Sequence, residues 1–343
     1  MKKLIVNLVI FLVPLIVFMF LADWFLSRQL RQSRDGEFSV WNDIYDNKIN
    51  ADVVVYGSSR AMVHMDPKII KDSLNVNAYN LGLNGHNFWL QYFRHKELLK
   101  HNKTPKFIIH SVDIFTLVKR TDLFHMEQFL PYMLFNKEVK QWTDSYQGYT
   151  RYDYYIPLIR YYGQYKTIGR ILQTSLLGST EADSARYLGF SAQHQAWNDD
   201  LIKARKEFPD FRVKIDSASI KLFEKYLQEC QNAGIGIVMI YTPEYIEGQD
   251  FVKNRSEIIN TFHYLSDKYN VPFIDYSNDP ISHKRDYFYN ASHLNGTGAR
   301  VFTSKMIHDL KGNEAVARLI HAAADQQIHQ ASLRSQEVIY LNE

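Results

Sequence analysis

Hydrophobic and polar positions along the chain fall into three regimes. Residues 4–22 are apolar apart from Asn7, carry Pro14, and are preceded by Lys2 and Lys3. Nineteen residues of helix reach about 28 Å, close to a hydrocarbon core of about 30 Å, so this stretch predicts a membrane-spanning helix. From residue 51 the pattern becomes short apolar runs alternating with segments of helical period. The runs at 52–56, 76–81, 106–112, 235–241 and 271–275 read as strands. Segments at 67–73, 88–100, 217–233, 252–269 and 298–310 read as helices, with a loop at 286–295. Apolar strands separated by helices specify a parallel sheet covered on both faces and joined by right-handed crossovers. Between 115 and 211 the alternation stops. That segment is rich in tyrosine (Tyr146, Tyr149, Tyr152, Tyr154, Tyr155, Tyr161, Tyr162, Tyr165) and shows helix-like stretches without a clean strand.

The expected architecture is α/β: three layers, α/β/α, with a parallel flavodoxin-like sheet, a helical insertion and an N-terminal transmembrane helix. Its divisions are an anchor at 1–27, a juxtamembrane connector at 28–50, an α/β domain at 51–312 with the aromatic insertion at 115–215, and a helical tail at 313–343. The insertion is read as covering one side of the sheet, its aromatics packing it there; the other use of such a stripe is to line a carbohydrate or acyl groove.

A cleaved signal peptide is the competing reading of the N-terminus. Apolar character resumes at Trp24, Phe25 and Leu26, and no Ala-x-Ala-like site follows, which favours a retained anchor. Lys2 and Lys3 place the N-terminus in the cytoplasm and the rest of the chain outside it, although Arg28, Arg31 and Arg34 on the other side weaken the bias. A formal net charge of +3 with scattered Lys and Arg argues against nucleic acid. The single cysteine, Cys230, lies in a helical pattern, can form no internal disulfide and reads as core filling.

In an open parallel sheet, reacting groups gather at the carboxyl ends of the strands. Three polar segments follow predicted strands or precede a helix there: Gly57-Ser58-Ser59, the run Asn80 to Gly85 containing Gly82 and Asn84, and Asn290-Ala291-Ser292-His293. Taken singly, Ser58 or Ser59 reads as a helix N-cap and His293 as an ordinary loop histidine. Together, a serine at a helix N-terminus, a glycine-rich turn offering an N–H, and an imidazole form the parts of an acyl-transfer site.

On these segments the chain resembles the SGNH/GDSL hydrolase family over roughly 51–113 and 217–311. Gly57-Ser58-Ser59 matches the first block and implies Ser59 as nucleophile. Asn80 to Gly85 matches Asn-x-Gly-x-x-Gly and implies that the Gly85 N–H, with Asn84 beside it, joins the Ser59 N–H around an oxyanion. The last block, Asp-x-x-His, falls on Asn290 to His293 and implies His293 as general base. The chemistry implied needs no metal or organic cofactor. The anchored arrangement resembles extracytoplasmic proteins that help transfer acyl groups onto envelope polymers. It implies as partners a cell-surface glycan or acylated carbohydrate, the lipid bilayer and a membrane acyl-transfer protein.

Two departures stand out. Asn290 replaces the family's aspartate, so no negative charge supports an imidazolium, and an amide can favour the wrong tautomer; Asp275, Asp279 or Asp286 is a candidate substitute. The third-block asparagine is missing, and Asp113 occupies its place, where it is expected to hold the Ser59 loop through that loop's N–H groups. Arg60 either binds an anionic ligand or pairs with a core carboxylate. The expected function is a membrane-anchored serine esterase or O-acyltransferase on an envelope glycan. The alternative is a binding or assembly protein that keeps the pocket and has lost the chemistry.

Overall fold

A computed structural model describes residues 1–177 and 186–320. They group into two compact units, one of residues 44–119 and 187 onward, the other of 1–43 and 120–186.

The first unit is built on a parallel sheet of five strands: β1 (Val53–Tyr56), β2 (Ala78–Asn80), β3 (Phe107–Val112), β4 (Gly236–Tyr241) and β5 (Phe273–Asp275). Their order is β2-β1-β3-β4-β5, every pair parallel, which is the flavodoxin-like order expected. Side chains alternate between faces. Val53, Val55, Phe107, Ile109, Val238 and Ile240 point into one core with Phe302, Met306 and Leu310 of the helix Gly296–Gly312. The other face carries Tyr56 and His110 against an aromatic layer in which Phe88, Phe223 and Tyr226 meet edge to face. Both faces of β1 to β4 are buried, which is why those strands read as apolar runs.

Several helices start on short polar side chains that satisfy otherwise orphaned N–H groups. Asp66 accepts from Lys68 N–H, Asp216 from Ala218 and Ser219, and Asn295 from Thr297 and Gly298. The expected 286–295 loop contains a short antiparallel hairpin, β6 (Phe288–Asn290) and β7 (His293–Leu294). Of the expected 313–343 tail, residues 314–320 are helical and bring Val316 and Ile320 into the sheet core, while 321–343 lie outside the described residues.

In the second unit, the apolar N-terminal stretch belongs to one helix, Lys2–Gln32, which buries Asp23, Ser27 and Leu30 along one stripe. The stretch read as a connector is largely helix, Gly36–Tyr45: Val40 and Trp41 are fully buried, and the Trp41 indole donates to Gln128 Oε1 at 2.8 Å and packs on Phe129. Its apolar positions recur at helical spacing, a signal masked by the polar residues between them. Within 120–186 the chain forms short helical turns, among them Met126–Tyr132, Arg151–Tyr154 and Ile159–Tyr161, besides longer helices. Tyr146, Tyr154 and Tyr161 are buried there, whereas Tyr152, Tyr155, Tyr162 and Tyr165 are exposed. Residues 187–215, expected within the insertion, belong to the sheet-bearing unit.

Candidate active site

Strand order reverses between β1 and β3, so the crevice lies beyond the carboxyl ends of those two strands. Gly57 leaves β1 at φ +143°, and a Cβ there would fall 2.6 Å from Ser111 O and 2.8 Å from the Ala61 side chain. Only glycine lets the chain turn this sharply against β3. Ser58 then caps the helix Ser59–His64, its Oγ accepting from Arg60 N–H at 3.3 Å. Ser59 thus occupies the first helical position, where its N–H has no partner within the helix. Its side chain remains half-buried.

Ser59 Oγ lies 2.8 Å from His293 Nε2, across 234 residues of sequence. His293 Nδ1 lies 3.0 Å from Asn290 Oδ1. The amide orientation follows from a third contact: Ser292 N–H donates to Asn290 Oδ1 at 3.1 Å. A backbone N–H can only donate, so the oxygen, not the NH2, faces the ring. Nδ1 therefore carries the proton and Nε2 presents its lone pair to the Ser59 hydroxyl. Asn290 thus fixes the base-competent tautomer. Tyr289 stacks on the imidazole with centroids 5.4 Å apart and planes 15° apart. Burial of the ring, with the Arg60 cation behind it, pushes the His293 pKa down to about 3, so the imidazole is neutral at neutral pH.

None of the three aspartates suggested as substitutes partners His293. Asp275 Oδ1 accepts from Ser277 N–H at 2.8 Å, and Asp279 caps the turn Pro280–His283 through Ile281 N–H. Asp286 contributes its backbone carbonyl to Asn295 Nδ2. Asp275 and Asp279 are engaged by their own turns.

Asp113, at the end of β3, does hold the serine loop, but by another contact than expected. Its Oδ2 accepts from the Ser58 hydroxyl at 2.5 Å, while Oδ1 accepts from Phe115 N–H at 2.8 Å. The carboxylate thus spans the strand-order switch and fixes Ser58, leaving Ser59 to face His293.

Of its two expected uses, Arg60 takes the core carboxylate. It is buried, with Nη1 2.8 Å from Glu244 Oε1, Nε 3.0 Å from Thr242 Oγ1, and Nη2 donating to Thr242 O. Its guanidinium also lies 4.6 Å over the Tyr241 ring. So committed, it is unavailable to an anionic ligand in the crevice.

Asn84 and Gly85 form the tip of a turn closed by His86 N–H to Leu83 O at 3.3 Å, with Gly85 at φ +71°. Leu83 N–H donates to Gly57 O at 2.9 Å, so the turn departs from beside the serine loop. Asn80 is structural: its amide donates to Ala61 O and Met65 O and accepts from Gly82 N–H, tying this turn to the serine helix.

Two contributors escaped the sequence reading. His64, buried at the end of the serine helix, accepts Leu294 N–H on Nε2 at 3.0 Å, and its Nδ1 lies 2.8 Å from Thr242 Oγ1. It joins the element bearing Ser59 to the strand bearing His293. The other is a strap within 188–198, which bonds through backbone groups to Asn80 (from Leu188), Met62 (from Ser191), Gly296 (from Gln193) and Tyr289 (from Asn198). At Gly189 a Cβ would fall 1.7 Å from Asn80 O, so the strap needs glycine there. The Thr242 and Glu244 partners of Arg60 signal the histidine's setting only once β4 is placed.

No family model matches the chain, and no curated protein matches it. Similar solved structures include an acetyl xylan esterase, 14% identical, with 74% of this chain and 97% of that chain covered and a TM-score of 0.36. A variant of an acetyl-xylooligosaccharide esterase from Geobacillus is 8% identical over 76% of this chain and 93% of its own, with a TM-score of 0.37. A GDSL-like lipase from Bacteroides thetaiotaomicron is 10% identical over 79% of this chain and 97% of its own, with a TM-score of 0.33.

Proposed function

We propose that this chain is a membrane-anchored serine esterase or O-acyltransferase working through an acyl-enzyme. The observation that carries the reading is the aligned run Ser59 Oγ, His293, Asn290 Oδ1, at 2.8 and 3.0 Å, with the tautomer fixed by Ser292 N–H. In this reading His293 Nε2 takes the Ser59 proton as Oγ attacks an acyl carbonyl. The Ser59 and Gly85 N–H groups stabilise the tetrahedral oxyanion. The imidazolium then returns its proton to the leaving oxygen. Water or a sugar hydroxyl, deprotonated by the same imidazole, resolves the acyl-Ser59 ester and sets the choice between hydrolysis and transfer.

The helix Lys2–Gln32 is long and apolar enough to cross a membrane. Held there with its main domain outside the cytoplasm, the enzyme would meet acylated envelope glycans, the substrate class we assign to it. The test is hydrolysis of a small acetyl ester by the full chain in detergent. Wild type is expected to turn over and Ser59→Ala to lose at least about a thousandfold in kcat, as removal of a triad member does elsewhere. Equal rates would remove Ser59 from the mechanism and leave the reading of a binding or assembly protein.

A further inference from the structure

The second unit carries exposed apolar side chains around the point where the long helix meets its other segments. Resting on the anchor reading above, depth along that helix can be counted. Twenty residues at 1.5 Å each span about 30 Å, so with Lys3 at one edge of the hydrocarbon the other edge falls at about Asp23. The side chains on that level fit. Trp24 is exposed, with the Arg28 guanidinium 5.2 Å over its ring, an arrangement suited to the headgroup layer. Asp23, the first charge after the apolar stretch, is buried instead of facing lipid. Arg160 pairs with it at 2.7 and 2.8 Å, and Leu158 N–H donates to it at 2.8 Å.

Three residues nearer the bilayer centre, the Phe20 ring stacks on Phe135 with centroids 6.4 Å apart. Both rings are still exposed, Phe20 at 43% and Phe135 at 57%. Phe135 is held at φ +58°, an unfavourable backbone for an aromatic residue, by its N–H bond to Tyr154 O at 2.9 Å. Exposed Tyr155 follows that carbonyl, and exposed Ile159 follows the Leu158 that bonds Asp23. The Phe20–Phe135 stack and the Leu158 bond to Asp23 thus tie these segments to the helix at the level of the hydrocarbon edge.

We infer that Phe20, Phe135, Tyr155 and Ile159 form a seat that inserts into the boundary between lipid headgroups and acyl chains. The stretches bearing Phe135, Tyr155 and Ile159 then rest in the outer leaflet, beyond being tethered to it. Lipid is the occupant because exposed Phe135 stacks on exposed Phe20 of the apolar helix itself, at the level where that helix leaves the hydrocarbon.

The test is nitroxide depth measurement on the full chain in phosphatidylcholine–phosphatidylglycerol vesicles. Labels go on Phe135→Cys, Tyr155→Cys and, as references, Val13→Cys in mid-helix and the exposed Tyr264→Cys of the other unit. Native Cys230 is buried and stays unlabelled. Expected are oxygen-to-nickel-chelate collision ratios at 135 between those at 13 and those at 264, well above the aqueous value, with a smaller rise above the aqueous value at 155. Aqueous rates at 135 and 155 equal to those at 264, with 13 deep in lipid, would overturn the seat and leave the anchor standing. An aqueous label at 13 would overturn both. Low access of both reagents at 135 and 155 would mean a protein surface covers the patch, and would also overturn it.

Discussion

Asn290 gives His293 orientation without charge. An aspartate at the same place would fix the same tautomer and also stabilise the imidazolium; the amide does only the first. With Arg60 behind the ring and no carboxylate bonded to it, the imidazole is held neutral far below the usual histidine range. In the proposed mechanism the unliganded protein should therefore keep His293 unprotonated well into acid. The expected kcat/KM profile is flat from pH 8 down to about 5, below the ordinary histidine pKa of about 6.5. Asn290→Asp places a negative charge on Nδ1–H, favours the protonated form and moves the acid limb upward. A wild-type limb centred at or above about 6.5, or no displacement in the variant, would show that this electrostatic picture is wrong.

Between elements, the contact that matters most runs from the serine helix to β7 through His64. Leu294 N–H can only donate, so His64 Nε2 accepts and its Nδ1–H turns to Thr242 Oγ1. His64→Leu leaves a buried N–H without its acceptor, at a cost of about 1–3 kcal/mol, and frees the strand that positions His293. If that cost falls on the positioned state, kcat drops about 10- to 100-fold with KM little changed. His64→Gln, which offers an acceptor and a donor at similar reach, should recover most of the loss; equal losses in both variants would point to a folding defect alone. This tie was not legible in the chain, because His64 sits in a helical pattern as an apparently ordinary buried position. The legible parts were those whose signal is local: Gly57 before the serines, Asn80 through Gly85, and His293 in the loop before the last long helix. The strap within 188–198 has no hydrophobic period to read, since its backbone bonds go to four separate elements. The hairpin of β6 and β7 is too short to show alternation.

Across the whole sheet-bearing unit, three buried histidines, His64, His95 and His110, and the half-buried His293 share one electrostatic consequence. Burial pushes His95, His110 and His293 down to about 3, and His64 well below its ordinary value. In the unfolded chain each titrates near about 6.5. Between about pH 6.5 and 3 the unfolded state therefore binds more protons, so stability is complete above that window and declines as pH falls through it. A urea midpoint followed by tryptophan fluorescence should hold steady from pH 8 to 7 and drop progressively from 6.5 to 4.5. A midpoint unchanged over the lower interval would mean these imidazoles are not held neutral.

The overall architecture was legible because a parallel sheet with both faces covered leaves long apolar runs in the sequence. Less legible was which residues of the aromatic middle segment belong to which unit. That partition depends on single contacts, such as Asp23 with Arg160 and Asn80 with Leu188, between residues far apart in the chain.

The proposed chemistry rests on Ser59 being a nucleophile activated by His293. Labelling the full chain with a fluorophosphonate and mapping the adduct by mass spectrometry addresses this directly. The adduct is expected on Ser59, fast in wild type, strongly slowed in His293→Ala and lost in Ser59→Ala. Absence of any adduct on folded wild type, or an adduct on another serine that persists in Ser59→Ala, would remove the acyl-enzyme from this site.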